Sequence, residues 1–145
     1  MSGTNPDAQA ISQHIQELEQ VKEIIREEMG ELRSRKAEID VAISAIESLE
    51  SGTDVYVPLG GGASIRTEVE NVDEIVVDIG SNFAAERPRE EAIETLKRKQ
   101  ARIDEQIADR QSEYSEIASE SEKLTQQAQQ QLSQQMQGMG GERDE

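Results

Sequence analysis

Few side chains in this sequence could carry out catalysis or bind a metal ion. The 145 residues contain no cysteine and a single histidine, His14. This composition excludes disulfides, thiolate zinc sites, cysteine nucleophiles and sites built from paired histidines. Adjacent carboxylates such as Glu27 and Glu28 lie on a helical pattern without the apolar or aromatic surroundings that acid–base catalysis requires. The sequence therefore predicts no enzyme, no metal site and no cofactor.

Two further motifs resemble sites for phosphate groups. Gly60-Gly61-Gly62 is followed by Ala-Ser instead of Lys-Ser/Thr, and no helix begins there, so we interpret it as a turn. A basic run lies between Glu94 and Asp104 and consists of Lys97, Arg98, Lys99 and Arg102. Because the whole chain is strongly acidic, we expect this run to be a solvated helix face, with no nucleic acid bound.

The acidity is spread along the chain. Fifteen Lys and Arg oppose 31 Asp and Glu, which gives a net charge of -16, divided as -6, -5 and -5 over residues 1–50, 51–87 and 88–145. Self-repulsion of this kind destabilises a compact state at low salt, whereas at molar salt the screening length falls to about 3 Å. The composition fits a protein from a salt-accumulating organism or a charged coiled coil from an ordinary cytoplasm.

No segment has the properties of a membrane anchor. Mean hydropathy is -0.74, and no apolar run approaches the ~20 residues that a membrane-spanning helix requires. The first ten residues contain neither a basic region nor an apolar stretch, so they do not form a secretory signal. The sequence predicts a soluble, cytoplasmic protein with no membrane partner.

Two long heptad runs flank the central segment of the chain. Across both runs 17 of 23 seam positions are apolar, although hydrophobic residues make up 34% of the chain, which predicts two coiled-coil helices. The first run has its seam at Ile11, Ile15, Leu18, Lys22, Ile25, Met29, Leu32, Lys36, Ile39, Ile43 and Ile46. The second run follows Pro88 and has its seam at Ile93, Leu96, Gln100, Ile103, Ile107, Arg110, Tyr114, Ile117, Ser121, Leu124, Ala128 and Gln131.

The two runs have similar lengths and can pair antiparallel. Such pairing sets Ile46 against Ile93 and Ile15 against Leu124, with both chain ends at one tip. Four of the six polar or charged seam positions are Lys22, Lys36, Gln100 and Arg110. They either fix the register at some cost in stability, or pack their aliphatic stems while their polar heads reach water.

The segment between the helices predicts four short strands. Apolar and polar residues alternate over residues 55–59, 64–69 and 74–79, and a fourth strand covers 83–87. Glycine-rich turns at 60–62 and 80–82 predict two hairpins. Pro58 lacks an N–H, so the first strand lies at an edge or ends there.

Strands of this length cannot enclose a core alone, because units below about 40 residues usually need outside support. Exposed hairpin edges also need a covering partner. We therefore expect the hairpins to pair with those of other subunits in a closed barrel. Nine residues are the candidates for this subunit assembly: Val55, Val57, Leu59, Ile65, Val69, Ile75, Val77, Ile79 and Phe83.

The central segment resembles the alpha class of the prefoldin family. The resemblance is carried by the VPLGGG turn, the DEIVVDIG strand and the ERPREEAIETL start of the second helix, and it extends over residues ~8–135 in helix–two hairpins–helix order. Two hairpins are typical of the alpha class, whereas the beta class has one. The resemblance implies two alpha and four beta subunits, and a double barrel of hairpins bearing six coiled coils.

The resemblance also implies a function. A prefoldin captures unfolded proteins without ATP and delivers them to a group II chaperonin. The alternative is a structural coiled-coil subunit of another hetero-oligomer without client binding. Because acidity also reaches the short strand segment, which a charged coiled coil would not explain, we favour a halophilic source.

These expectations give a fold and a division of the chain. The fold is α+β, a long antiparallel coiled-coil hairpin with two central β-hairpins that form an intersubunit β-barrel. The predicted segments are a flexible N-terminus at 1–10, a coiled-coil helix at 11–51, two β-hairpins at 52–87, a coiled-coil helix at 88–135 and a flexible acidic tail at 136–145.

Client proteins are expected to bind where the chain ends lie. The candidates are apolar residues near both ends, Ile11, Ile15, Leu132, Met136 and Met139. Methionine is adaptable and suits partners of no fixed sequence. In the alternative interpretation, Ile11, Ile15 and Leu132 only complete the seam, and the two methionines belong to a disordered tail.

Overall fold

Two helices enclose four strands in chain order. The structure, a computed structural model, describes residues 6–143, with side chains described over 7–138. Helix α1 is Pro6–Ser48, strands β1 to β4 are Asp54–Gly60, Ala63–Glu68, Ile75–Gly80 and Phe83–Arg87, and helix α2 is Arg89–Arg143. The predicted two-helix, two-hairpin order and all four strands are confirmed, with strand ends shifted by one residue at most.

The ends of the helices differ from the sequence prediction. Helix α1 begins at Pro6, five residues before the predicted start, and ends at Ser48 instead of 51. Helix α2 continues to Arg143, through the predicted tail from residue 136. Glutamine, which is abundant in this stretch, is a good helix former, so the local propensity allows the extension. Flexibility at either end stays a prediction.

The chain divides into two compact units. The terminal unit contains the described residues before Leu32 and from Ile107 onward, and the hairpin unit is Leu32–Gln106. Each helix contributes to both units. Within the terminal unit, His14 pairs with Glu120, Arg26 with Tyr114, and Glu28 with Arg110, so partners descend along α2 as they ascend along α1. The helices in that unit are therefore antiparallel, as the heptads predict.

The heptad seam forms the buried interface within each unit. All 23 predicted seam positions are buried or half-buried. The buried apolar residues of the terminal unit are Leu18, Ile25 and Met29, and the buried seam residue Ser121 is polar. In the hairpin unit the buried apolar residues are Ile43, Val77 and Ala92.

The hairpins form two separate two-stranded sheets. Strand β1 pairs only with β2, and β3 only with β4, both antiparallel, within the described part of the chain. Each strand therefore keeps one edge without a backbone partner there. The hairpins have similar ends, since Pro58 pairs with Ser64 but Gly60 with Ala63, and a matching register shift occurs between Asp78 and Gly80.

The two-residue turns require positive φ. Gly61 and Gly62 have φ of 59° and 83°, and Ser81 and Asn82 have 51° and 65°. Positive φ at both central residues matches the right-handed twist of paired strands. Glycine adopts it without steric cost, whereas serine does so less readily than asparagine.

Substitution of two neighbouring isoleucines of α1 tests which residues form the buried seam. Ile25 is 4% exposed and Ile24 is 54% exposed. We expect Ile25→Ala to lower the free energy of unfolding by about 2–4 kcal/mol, because it leaves a cavity in the seam. Ile24→Ala should cost less than about 1 kcal/mol. Urea denaturation at molar KCl measures both, and equal losses would contradict the assigned seam.

Candidate functional site

The hairpins present apolar side chains to solvent. Val57 and Ile65 are opposite each other on β1 and β2 and are 43% and 53% exposed. Leu59, at the irregular end of β1, is 68% exposed. On the second hairpin, Ile79 and Phe83 flank the turn and are also exposed. Apolar surface next to open strand edges is suited to pairing with another chain.

The nine predicted assembly residues fall into three groups. Val57, Leu59, Ile65, Ile79 and Phe83 are exposed. Val55, Val69 and Ile75 are half-buried, and Val77 is 5% exposed, so it packs within the chain itself. The first five thus have the accessibility that an interface needs.

Within the hairpins, sequence reasoning missed two exposed apolar residues. Tyr56 is 70% exposed and Val76 is 68% exposed. Both occupy even positions in the alternating pattern, whereas the candidates for subunit assembly all occupy odd positions. Their residue types were the available signal, since aromatic and β-branched side chains contribute apolar surface wherever they face solvent.

The predicted client-binding residues belong to the terminal unit. Ile11 and Ile15 are half-buried, whereas Leu132 and Met136 are 59% and 67% exposed. The antiparallel pairs of this unit place the beginning of α1 and the end of α2 at the same end of the unit. The side chain of Met139 lies outside the described residues. Leu132 and Met136 are therefore the accessible apolar pair among the described candidates.

The polar seam residues pair at the edge of the seam. In the hairpin unit, Lys36 Nζ lies 2.7 Å from Asp104 Oδ1, and Gln100 Nε2 donates to Asp40 Oδ1 at 2.5 Å. In the terminal unit, Arg110 Nε lies 3.0 Å from Glu28 Oε2. In these three residues the stems line the seam while the polar heads bind groups on the facing helix at the exposed edge. Lys22 instead pairs with Glu19 on its own helix. A role of these residues in fixing the register stays a prediction.

Tyr114 is the centre of a polar layer in the terminal unit. Arg26 donates to its hydroxyl at 2.7 Å, and Lys22 lies 5.5 Å from its ring centroid. Nearby, Ser121 Oγ donates to Glu19 Oε1 at 3.0 Å. This hydrogen bond, followed by that from Lys22, lowers the pKa of Glu19. The bonds from this layer join the two helices.

Hydrogen bonds to carboxylates shift the pKa values of two cationic seam residues. The bond to Asp104 raises the pKa of Lys36. The bond to Glu113, followed by the charge of Glu28, raises the pKa of Arg110. Both groups are fully charged near neutral pH, so their shifts favour ion pairing and do not create an acid or a base for catalysis.

The described part of the chain contains no candidate metal site. Among residues 6–143, no group of three or more His, Cys, Asp or Glu side chains is arranged to hold a metal ion. Over the same range, none of the helices is apolar enough along its length to cross a bilayer. The surfaces described above are thus the main candidates for function.

Long helices flanking two β-hairpins define a coiled-coil subunit of the prefoldin type. The family model for prefoldin subunits matches residues 11–134, and the chain belongs to the prefoldin family. Members of this family are chaperones.

Relatives from haloarchaea support the alpha class. The prefoldin subunit alpha of Haloarcula marismortui is 44% identical over 114 residues, which cover 79% of this chain and 74% of the relative. That of Halorubrum lacusprofundi is 49% identical over 79 residues, or 54% of this chain and 52% of the relative. The predicted alpha-class prefoldin of a halophilic archaeon is confirmed.

Two solved structures share the fold. A chain of the filamentous PFD from Methanocaldococcus jannaschii has a TM-score of 0.72 at 24% identity and covers 80% of this chain and 98% of its own. The prefoldin beta subunit from Thermococcus strain KS-1 has a TM-score of 0.62 at 17% identity, covering 91% and 97%. At these identities the likeness concerns the fold alone.

Proposed function

We propose that this chain is the alpha subunit of a cytoplasmic hetero-hexamer of two alpha and four beta subunits. The complex captures non-native proteins without ATP and delivers them to a group II chaperonin. The observation that supports assembly is the exposed apolar surface of both hairpins next to open strand edges. Neither two-stranded sheet can bury its odd-numbered apolar face alone, and an intersubunit β-barrel would cover that face.

In this proposal the residues have separate roles. The assembly surface comprises Val57, Leu59, Ile65, Ile79 and Phe83, supported by the less exposed Val55, Val69, Ile75 and Val77. Client proteins bind at Leu132 and Met136, with Ile11, Ile15 and Met139 as further candidates. Exposed apolar side chains on a helix end gain free energy from any partner that covers them, so they need no fixed client sequence.

The mass of the complex with a beta-class subunit tests this proposal. Mixing the two chains at molar KCl should give a six-chain particle by sedimentation. That particle should keep a diluted, denatured client from scattering light without ATP. A complex of another size that leaves client aggregation unchanged would favour the alternative, a structural coiled-coil subunit.

The net charge of -16 predicts that assembly depends on salt. Below roughly 0.5 M salt, self-repulsion of the acidic subunits is screened less, and the hexamer should loosen. Sedimentation across a KCl series measures this, with sucrose at matched density as a control for solution properties. A mass that stays constant down to dilute buffer would contradict the predicted salt requirement.

A further inference from the structure

The hairpin unit contains a groove lined by basic side chains. A cavity of about 480 Å³ lies between the second hairpin and α2, and its charged lining comprises Arg87, Arg98, Lys99, Arg102, Glu91 and Glu94. We call this cavity the basic groove, after its four cationic side chains. A second cavity of about 580 Å³ shares Lys99 and Arg102, and its other charged lining residues are Arg35, Glu38 and Asp78. Lys99 and Arg102 therefore border both cavities.

This groove has the opposite charge to the rest of the chain. Residues 87–102 contain six of the 15 Lys and Arg but only three of the 31 Asp and Glu. Their charge is +3, in a chain of -16. If the charged residues were distributed evenly along the chain, a segment of this length would be negative. The basic groove is therefore a local positive patch on a negatively charged chain.

Most cations of the groove have no carboxylate partner among the described residues. Within the described residues, Arg87, Lys99 and Arg102 form no ion pair within 4.0 Å, and Arg98 has one contact with Glu94 at that limit. Elsewhere Lys36 and Arg110 pair with carboxylates at 2.7–3.0 Å. Arg87 and Lys99 are also half-buried. The unpaired cations can thus accept an acidic group from outside the chain.

The same unit contains a complementary segment. The acidic loop, residues 68–74, connects the two hairpins and has four carboxylates and no basic residue. These are Glu68, Glu70, Asp73 and Glu74, all exposed. Asp73 N–H donates to Asn71 Oδ1 at 2.9 Å, which gives the loop a local turn. No ion pair of these carboxylates occurs within the described residues.

We propose that the acidic loop of one copy binds in the basic groove of a second copy. This inference rests on the proposed function, because it assigns the contact between the two alpha subunits of the assembly. A two-fold arrangement forms the contact twice, since each copy supplies one loop and one groove. At molar salt only charges in close contact still attract, and a groove supplies such contacts.

Charge reversal on each side tests the contact. The groove variant is Lys99→Glu with Arg102→Glu, and the loop variant is Glu70→Lys with Glu74→Lys. Each should weaken self-association of the full-length chain about tenfold at about 1 M KCl, because direct ion pairs are replaced by like charges. A mixture of the two variants should regain association to within about threefold of wild type, because complementary charges meet again.

A matched control keeps the charge change but moves it away from the groove. Arg33→Glu with Lys123→Glu alters the net charge by the same amount as the groove variant, and both residues are exposed. This control should change self-association less than about threefold, since neither residue borders the groove. Sedimentation equilibrium measures all variants, and circular dichroism verifies that they fold.

The outcomes separate this contact from the proposed function. A mixture that shows no recovery, a control as damaging as the groove variant, or wild type that does not self-associate would overturn the contact. Groove reversal that weakens only binding to the beta-class subunit would also overturn it, since the occupant would then be a different chain. The hexamer mass and client assay of the wild type remain independent of these results and decide the proposed function.

Discussion

Val57→Lys is expected to abolish assembly with the beta-class subunit while the isolated chain stays folded. Val57 is 43% exposed and lies opposite Ile65 on the first hairpin. If that face is covered by a neighbouring subunit, the lysine ammonium must lose its hydration in the interface. A cost of about 3 kcal/mol corresponds to roughly a hundredfold weaker association. Sedimentation of the mixture should show free subunits instead of a large particle.

The adjacent residue supplies the control for this result. Tyr56→Lys introduces the same charge on the same strand but on the opposite face of the hairpin. Association should change by less than about 1 kcal/mol if the Val57 face is the interface. If Tyr56→Lys abolishes assembly and Val57→Lys does not, the assembly face has been assigned to the wrong side.

The double variant Leu132→Ser with Met136→Ser is expected to weaken client capture and leave assembly intact. These side chains are 59% and 67% exposed in the terminal unit. A client that covers both gains about 1 kcal/mol or more from each, so removing them should lower affinity about thirtyfold. The measurement is the concentration of the complex that halves light scattering from an aggregating client.

A second pair of exposed apolar residues supplies the control, which distinguishes a specific client site from general surface hydrophobicity. Ile24 and Val41 are 54% and 70% exposed on α1, away from the ends of the chain. Ile24→Ser with Val41→Ser removes a comparable apolar surface and should change the halving concentration less than about twofold. Equal losses in the two double variants would show that capture depends on general surface hydrophobicity, and the assigned client site would then be wrong.

Local sequence patterns predicted the helices and strands because these patterns repeat at the period of the structure itself. The heptad places Leu18, Ile25 and Met29 on one helix face, and those residues are buried. Alternation and glycine-rich turns located four strands to within a residue, because strand side chains alternate in direction and tight turns require positive φ. Prefoldin motifs between the helices were specific enough to indicate the family.

Burial of the hairpin residues could not be predicted in the same way. The alternation placed Val57 and Val77 on equivalent faces, yet Val57 is 43% exposed and Val77 is 5% exposed. The difference depends on what packs against each hairpin, and this information comes from residues distant in sequence. For the same reason Tyr56 and Val76 were not recognised as exposed apolar surface.

The sequence alone determined the period of the helices, the sites of the turns and the negative charge of the chain, because each depends on residues close together or on composition. Only the tertiary structure decided that Ser121 is buried beside Glu19 and that Lys36 pairs with Asp104. It also gathered Arg87 and Arg102 around one groove. Such contacts join residues far apart in the chain, and their formation depends on side-chain packing and register that no local pattern specifies.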